Sequence, residues 1–263
     1  MIDFKELLRN SNYKKEIEEL INISCLSLKH WQTYWTGFHS TFLCEEILKE
    51  FENLNDFKFF VYGGFRSSQR SKIACFREDN IPEENDLKSN FPAKGIQING
   101  NFLFDNATQD DFRSLLLDNG LTEQKIGDIW TQGDRGAQGI VDNSEIEFLN
   151  EKNLYLRDVE VKIKIVDLEE LQIPVGRSKK LINTVEASTR LDAIASAGFR
   201  ISRTKILERI ENGMLKLNGN TMKKGTISLK VGDKLELDNK GFIEILDLEI
   251  TKRERWKIKL LRK

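Results

Sequence analysis

Soft metal ligands are scarce in this sequence: three cysteines (Cys25, Cys44, Cys75) and two histidines (His30, His39) among 263 residues. The cysteines are odd in number, lie far apart and form no Cys-x-x-Cys pair. Neither a disulfide framework nor a common zinc motif fits that spacing, and they read as small buried or half-buried residues in a reducing compartment. No run approaches the roughly 18 uninterrupted apolar residues of a membrane-spanning helix. The opening Met1-Ile2-Asp3-Phe4-Lys5-Glu6 has neither a basic n-region nor an apolar h-region, so no secretory signal is expected. The expected location is the cytoplasm, without membrane contact. A Gly-x-x-x-x-Gly-Lys-Ser/Thr loop is missing, which leaves NTP hydrolysis without support. No nucleophile–base pair or elbow motif stands out either, so no catalytic residue, cofactor or metal site is assigned.

What the sequence does have is charge. Charged residues make up 32% of the chain and the net charge is only -1, but the two signs are unevenly distributed. From Arg177 to Lys263 there are 21 Lys and Arg against 11 Asp and Glu, a net of +10. Residues 1 to 176 carry 20 basic and 31 acidic groups, a net of -11. Such a split points to nucleic-acid or membrane contact by the basic part, against the plainer reading of two solvated surfaces that differ.

Hydrophobic periodicity suggests an α+β chain. Residues 1 to about 56 read as an N-terminal helical segment, with Ile17, Leu20 and Ile21 at helical spacing. A second run, Thr41 to Phe51, opens on Thr41 with Glu45 one residue late for a capping box. The aromatics between them (Trp31, Tyr34, Trp35, Phe38) read as core. Residues 57–170 read as one α+β domain, a sheet with helices on one face. Its strands are expected at Phe57–Tyr62, Ile73–Phe76, Gly95–Gly100, Ile126–Ile129, Ala137–Val141 and Val159–Lys164, and its helices at Thr108–Leu116 and near Asn143 to Asn150. Residues 171–183, with Pro174, Gly176 and Ser178-Lys179-Lys180, read as a linker.

Residues 184–263 form the last module. Thr189 and Asp192 have capping-box spacing before a helix carrying Leu191, Ile194 and Ala195, stopped by Gly198. Ser202 is expected to cap a second helix, with Ile206, Leu207 and Ile210 as its stripe and Gly213 as its stop. The period then becomes two, with tight turns at Asn218-Gly219 and Val231-Gly232-Asp233, which gives two helices and a small twisted sheet. Arg190, Arg200, Arg203 and Lys205 fall at or near the two helix starts, where free backbone N–H groups favour phosphate and guanidinium groups add bidentate contacts. Lys223 and Lys224 follow the Asn218-Gly219 turn, where they could close over the same backbone. Phosphate contacts of this kind select the shape of a folded RNA rather than its sequence.

Arg190-Leu191-Asp192, Gly198-Phe199-Arg200-Ile201-Ser202-Arg203, Ile210-Glu211-Asn212-Gly213, Leu217-Asn218-Gly219 and Val231-Gly232-Asp233 resemble, in order and spacing, the RNA-binding domain named after ribosomal protein S-four. With Gly63-Gly64 before Arg70 and Ile126-Gly127-Asp128-Ile129, the whole chain resembles the YlmH family of bacterial S-four-domain proteins. Cyanobacterial members of that family are often labelled photosystem II S-four-domain proteins. The resemblance implies an RNA-recognition-motif-like middle domain. It also implies a non-catalytic role on large ribosomal subunits that still carry peptidyl-tRNA after stalling. Carried over by position, the contacts to structured rRNA or tRNA are Arg190, Ser202, Arg203, Lys205 and the loop from Asn218 to Lys224, and a monomer is expected.

The rival class is an RNA-modifying enzyme that uses the C-terminal domain as a handle. Pseudouridine synthases carry a catalytic aspartate in a tripeptide similar to Arg190-Leu191-Asp192, but too few residues follow Asp192 here for a catalytic domain. A methyltransferase would need a Gly-rich turn continued as βαβ, and Gly63-Gly64 lacks the third glycine. A protein-binding adaptor, acidic at one end and RNA-binding at the other, is compatible with the leading reading.

Overall fold

Ile17 and Leu20 are both inaccessible to solvent, as their helical spacing requires, on helix α1 (Lys14–His30). These coordinates are a computed structural model that describes residues 13–52, 56–144, 146, 147, 149, 154–174, 180–237 and 240–262. The fold is α+β, as expected, and the chain divides into two compact units, Met1–Gly176 and Arg177–Lys263.

In the first unit α1 stops at Trp31, which sits in the left-handed region (φ 58°) and donates its backbone N–H to Ser27 O. The chain then leaves helical conformation, contrary to the expectation of helix throughout this segment. Strands β1 (Tyr34–Trp35) and β2 (His39–Ser40) precede helix α2 (Thr41–Glu50). Ser40 caps α2 by accepting from Leu43 N at 3.1 Å. Thr41, expected in that role, donates instead to Ser68 O at 2.9 Å. Strands β3 (Phe57–Tyr62) and β4 (Arg70–Arg77) form an antiparallel hairpin, and β4 also pairs with β1 and β2. A core of Ile17, Leu20, Leu43, Ile47, Phe57 and Ile73 joins both helices to this sheet. The expected boundary between residues 56 and 57 therefore runs through a packed sheet. Two-residue strands such as β1 and β2 are too short to show a period, which is why they were not anticipated.

Phe38 is buried, and Trp35 packs edge-on to Phe60 and Phe91. Trp31, by contrast, is 58% exposed under the Arg77 guanidinium. Cys44 and Cys75 are buried, with burial pushing the Cys75 thiol up to about 11, whereas Cys25 is exposed, a correction to the burial expected of all three.

Next come helix α3 (Glu84–Ser89), strand β5 (Ala93–Asn99) and helix α4 (Gln109–Asp118). Strands β6 (Ile126–Thr131), β7 (Gly136–Asp142), β8 (Leu154–Leu156) and β9 (Val159–Val166) follow. The five strands pair antiparallel in the order β6-β7-β5-β9-β8. Thr108 and Asp111 form a reciprocal capping box at the start of α4. Phe112, Leu115 and Leu116 of α4 share a core with Ile96, Ile98 and Val161 of one sheet face. Gly136 is required where it stands: its φ is 121°, and a Cβ there would lie 1.9 Å from Ile98 O. Of the helix expected near Asn143 to Asn150, residues 145, 148 and 150 lie outside the described residues, and within the rest Leu149 N donates to Ile146 O at 3.0 Å.

The second unit is a six-stranded antiparallel sheet in the order β10-β15-β14-β13-β11-β12. Its strands are β10 (Lys180–Glu186), β11 (Leu215–Leu217), β12 (Asn220–Thr221), β13 (Lys234–Leu237), β14 (Gly241–Ile250) and β15 (Trp256–Arg262). Helices α5 (Leu191–Phe199) and α6 (Arg203–Glu211) bury Leu191, Ile194, Ile206 and Ile210 with Ile243, Ile245, Ile258 and Leu260 of the sheet. Asn218 (φ 47°) and Gly219 (φ 80°) make the tight turn between β11 and β12. Residues 180–183, expected to be linker, form the start of β10 and pair with the end of β15; the rest of that segment around Gly176 lies outside the described residues. No helix among the described residues is long and apolar enough to cross a membrane.

Candidate nucleic-acid interface

Helix α5 starts unlike its sequence signature. Thr189 does not cap it; Arg190 occupies the N-cap position without a side-chain bond to the helix. The segment after β12 wraps the helix start instead. Leu191 N donates to Ile227 O at 2.8 Å and Asp192 N to Gly225 O at 3.1 Å. Two of the N–H groups that a helix leaves unpaired at its start are therefore already taken, and the start of α5 is no phosphate cradle.

Released from capping, Asp192 does something else. It is 1% exposed and accepts five hydrogen bonds. Arg190 donates Nε to Oδ1 at 3.1 Å and Nη2 to Oδ2 at 3.0 Å. Arg203, at the start of α6, donates Nε and Nη2 to Oδ2 at 3.0 and 2.8 Å. Ala193 N donates to Oδ1 at 2.9 Å. Burial alone would raise this carboxyl's pKa, but the hydrogen bonds and charges of Arg190 and Arg203 outweigh it and hold it below the ordinary aspartate value. The two guanidinium groups are only half covered, with 39% and 53% of their side chains exposed. Each keeps Nη1 without a partner among the described residues. The arrangement is a buried anion that fixes two surface cations in place, leaving one edge of each fork outward.

Arg200 is exposed at the turn between the helices, in the left-handed region (φ 57°), with its N–H on Ser196 O. Ser202 is the N-cap of α6, but its hydroxyl caps nothing. Lys205 is exposed in the first turn of the same helix. The expected residues Arg200, Ser202, Arg203 and Lys205 thus lie at the α5–α6 turn, and Asp192 ties Arg190, at the other end of α5, to Arg203. Those of the loop are less uniform. Asn218 holds its own turn: its Nδ2 donates to Asp233 Oδ1 and its Oδ1 accepts from Lys234 N, both at 2.9 Å. Lys223 Nζ donates to Glu211 O at 3.2 Å, beside the end of α6, while Lys224 is exposed. Gly225, next along, packs over the clamp: a Cβ there would lie 2.9 Å from Asp192 Cβ. Sequence reasoning missed Asp192 as the organiser. The available signal was the short Arg190-x-Asp192 spacing, with a second arginine at the next helix start.

The enzyme-like features do not assemble. Both oxygens of Asp192 are engaged and the residue is buried, so it is not placed as a nucleophile or base. Gly63-Gly64 connects two antiparallel strands, and a Cβ at Gly63 would lie 2.2 Å from Arg70 O. That is the seven-residue loop of a β-hairpin (63–69) rather than the strand-to-helix crossover of a nucleotide cradle.

The fold and this site define a two-unit α+β protein whose basic C-terminal unit presents carboxylate-clamped arginines. No protein-family model matches the chain. A curated relative, the ribosome-associated protein quality control protein P2 of Bacillus subtilis (strain 168), is 28% identical over 200 residues, 74% of each chain. Among solved structures, the cell division protein ylmH from Streptococcus pneumoniae matches at 16% identity and TM-score 0.45, covering 60% of this chain and 91% of that one. The chain is similar to YlmH-type proteins.

Proposed function

We propose that this protein is a non-catalytic RNA-binding factor that grips structured rRNA or tRNA on the large ribosomal subunit, in ribosome-associated quality control in the cytoplasm. The observation that carries the reading is the clamp: Arg190 and Arg203 held by the buried Asp192 carboxylate, beside the exposed Arg200, Ser202 and Lys205. A guanidinium already fixed by one carboxylate loses less freedom when its other edge meets phosphate, and its planar fork suits bidentate contact. Arg200 adds a second argument. The left-handed cap position favours glycine, and a side chain there costs about 1 kcal/mol or more. An exposed arginine whose side chain has no partner among the described residues occupies it, which suits strain retained for binding. The name of the Bacillus relative supports the ribosomal setting.

Arg203 is unsuited to a charge-reversal test, because a glutamate there would face the buried Asp192 carboxylate and destabilise the unit. Arg200→Glu with Lys205→Glu touches no side-chain partner among the described residues. That double variant should retain the wild-type melting temperature and bind a structured rRNA hairpin at least ~10-fold more weakly, with a shallower salt dependence. Unchanged affinity and salt slope would show that RNA does not contact this face.

A further inference from the structure

Strand β10 lies at the edge of the six-stranded sheet, paired with β15 on one side only. The direction of its backbone groups follows from the neighbouring hairpin. Thr251 N donates to Arg255 O at 2.7 Å, just beyond the last β14–β15 pair, Ile250 with Trp256. Backbone groups of an antiparallel strand alternate between its two neighbours, so Trp256 and Ile258 turn theirs away from β14 and toward β10. Their partners there are Glu186 and Thr184. Leu181, Asn183 and Val185 therefore direct their N–H and C=O groups out of the sheet. The Arg255 guanidinium agrees with that direction, reaching Val185 O at 3.3 Å. Among the described residues these three have no other backbone partner.

Edge strands are commonly blunted by proline, a bulge, an inward-pointing charge or extreme shortness. β10 runs for seven residues without proline and pairs with β15 without a register shift. Its two charges stand at its ends and differ in sign. Between them Leu181 and Val185 are 60% and 47% exposed. The strand is also complementary to its own reverse. Antiparallel pairing with a second copy about Asn183 sets Lys180 against Glu186, Leu181 against Val185 and Ile182 against Thr184. Charge then meets opposite charge, and exposed apolar residues meet each other. In this register the outward-directed residues face one another, so each such pair can exchange two hydrogen bonds. A shift of two residues either way breaks both the charge match and the apolar match.

We propose that β10 is a dimerisation edge, at which two copies of this chain join their C-terminal sheets about a two-fold axis through Asn183. Such an isologous contact closes on itself and leaves no free edge for a third copy. Leu261 stands beside Leu181 on β15 and extends each apolar pair to a row of three, Leu261 and Leu181 of one copy with Val185 of the other. The Arg255 contact is long and exposed, and Val185 O keeps a second lone pair for the ladder. A strand of another protein could use the same ladder, but it would have to supply the reversed order of charge and apolar residues that a second copy carries by necessity. One strand pair is smaller than an interface of standard size, which reaches micromolar affinity or better, so the dimer should form only above ~10 µM. It stands in place of the monomer expected from the sequence.

The test is analytical ultracentrifugation of the full chain, freed of nucleic acid, across a concentration series spanning that value. Asn183→Pro removes an outward N–H that β15 does not use, a change edge strands tolerate. It should keep the wild-type melting temperature and weaken dimerisation at least ~30-fold. Lys180→Glu and Glu186→Lys each set like charges face to face twice in the dimer, and each should weaken it ~10-fold. An equimolar mixture of those two variants pairs glutamate with lysine at both ends and should associate within ~3-fold of the wild type. A folding defect in either variant would not produce that recovery. A wild type that stays monomeric throughout the series overturns the proposal. So does a dimer indifferent to Asn183→Pro, or a mixture that associates no more tightly than its components.

Discussion

The two units each enclose an aspartate that organises an arginine, and they do so to opposite ends. In the first unit Asp128 accepts the backbone N–H groups of Gln69 and Arg70 at 2.7 and 3.1 Å. The Arg70 guanidinium turns away from it, to Phe38 O, Glu123 O and Ile126 O at 3.0, 2.7 and 2.8 Å. In the second unit Asp192 takes two guanidinium groups directly. The titration follows the partners. Burial pushes Asp128 up to about 6, only partly opposed by the Gln69 N–H and the charges of Arg70 and Arg113, whereas Asp192 is held low. Cations in the first unit tie segments of chain together, Lys72 and Asp142 among them. The clamp in the second unit holds its cations at the surface, where a ligand can reach them.

The largest effect that would break this contrast is loss of the clamp. Asp192→Ala leaves two half-covered guanidinium groups and the Ala193 N–H without their acceptor. Removing one side of a buried ion pair typically costs ~3–5 kcal/mol, and the partial exposure of both arginines puts the expected loss near the lower end, about 3 kcal/mol. Urea unfolding of the second unit measures it. A loss below about 1 kcal/mol would mean the clamp does not hold the helices.

A smaller effect comes from pH. Asp128 has a folded pKa of about 6 against an ordinary 3.8. The folded protein therefore binds a proton that the unfolded chain has released, so this contribution to stability is complete below the ordinary value and is lost as pH rises through 6. Asp192 runs the other way: its contribution is present above the ordinary value and lost as pH falls through its lowered one. Acidification from pH 7 to 5 should thus stabilise the wild-type first unit by about 1 kcal/mol relative to Asp128→Asn. Hydrogen exchange of β6 amides in the two proteins reads the difference, and parallel pH profiles would contradict it.

The smallest effect separates stability from binding. Arg200→Gly relieves the left-handed cap but gives the unfolded chain more freedom, so the net gain should be only ~0.5 kcal/mol. The same change should weaken RNA binding. A variant both more stable and tighter-binding would remove the strain argument.

The local features of the second unit were legible in the sequence because they depend on neighbours. Asn218-Gly219 reads as a tight turn, and it is one; Ile206 and Ile210 read as a buried stripe, and both are buried. What was not legible depends on distant partners. The Thr189 and Asp192 spacing is a genuine capping signature, but carbonyls of Gly225 and Ile227 take the helix N–H groups first. Strands β10 and β15 pair Lys180 with Arg262, and nothing local to either names the other. In the first unit, β9 alternates cleanly, with Val161 and Ile163 inward and Lys162 and Lys164 outward. That pattern showed a strand without showing that its outer face lies in a row with Gln97 of β5 and Gln138 of β7.

The most direct measurement is co-sedimentation of the full chain with free large subunits, small subunits and whole ribosomes across a salt series, beside Arg200→Glu with Lys205→Glu. Selective, salt-sensitive binding of the wild type to large subunits, lost in the variant, is the expected result. Equal sedimentation of both proteins with large subunits, or no preference among the particles, would contradict the assignment of the clamped-arginine face to ribosomal RNA.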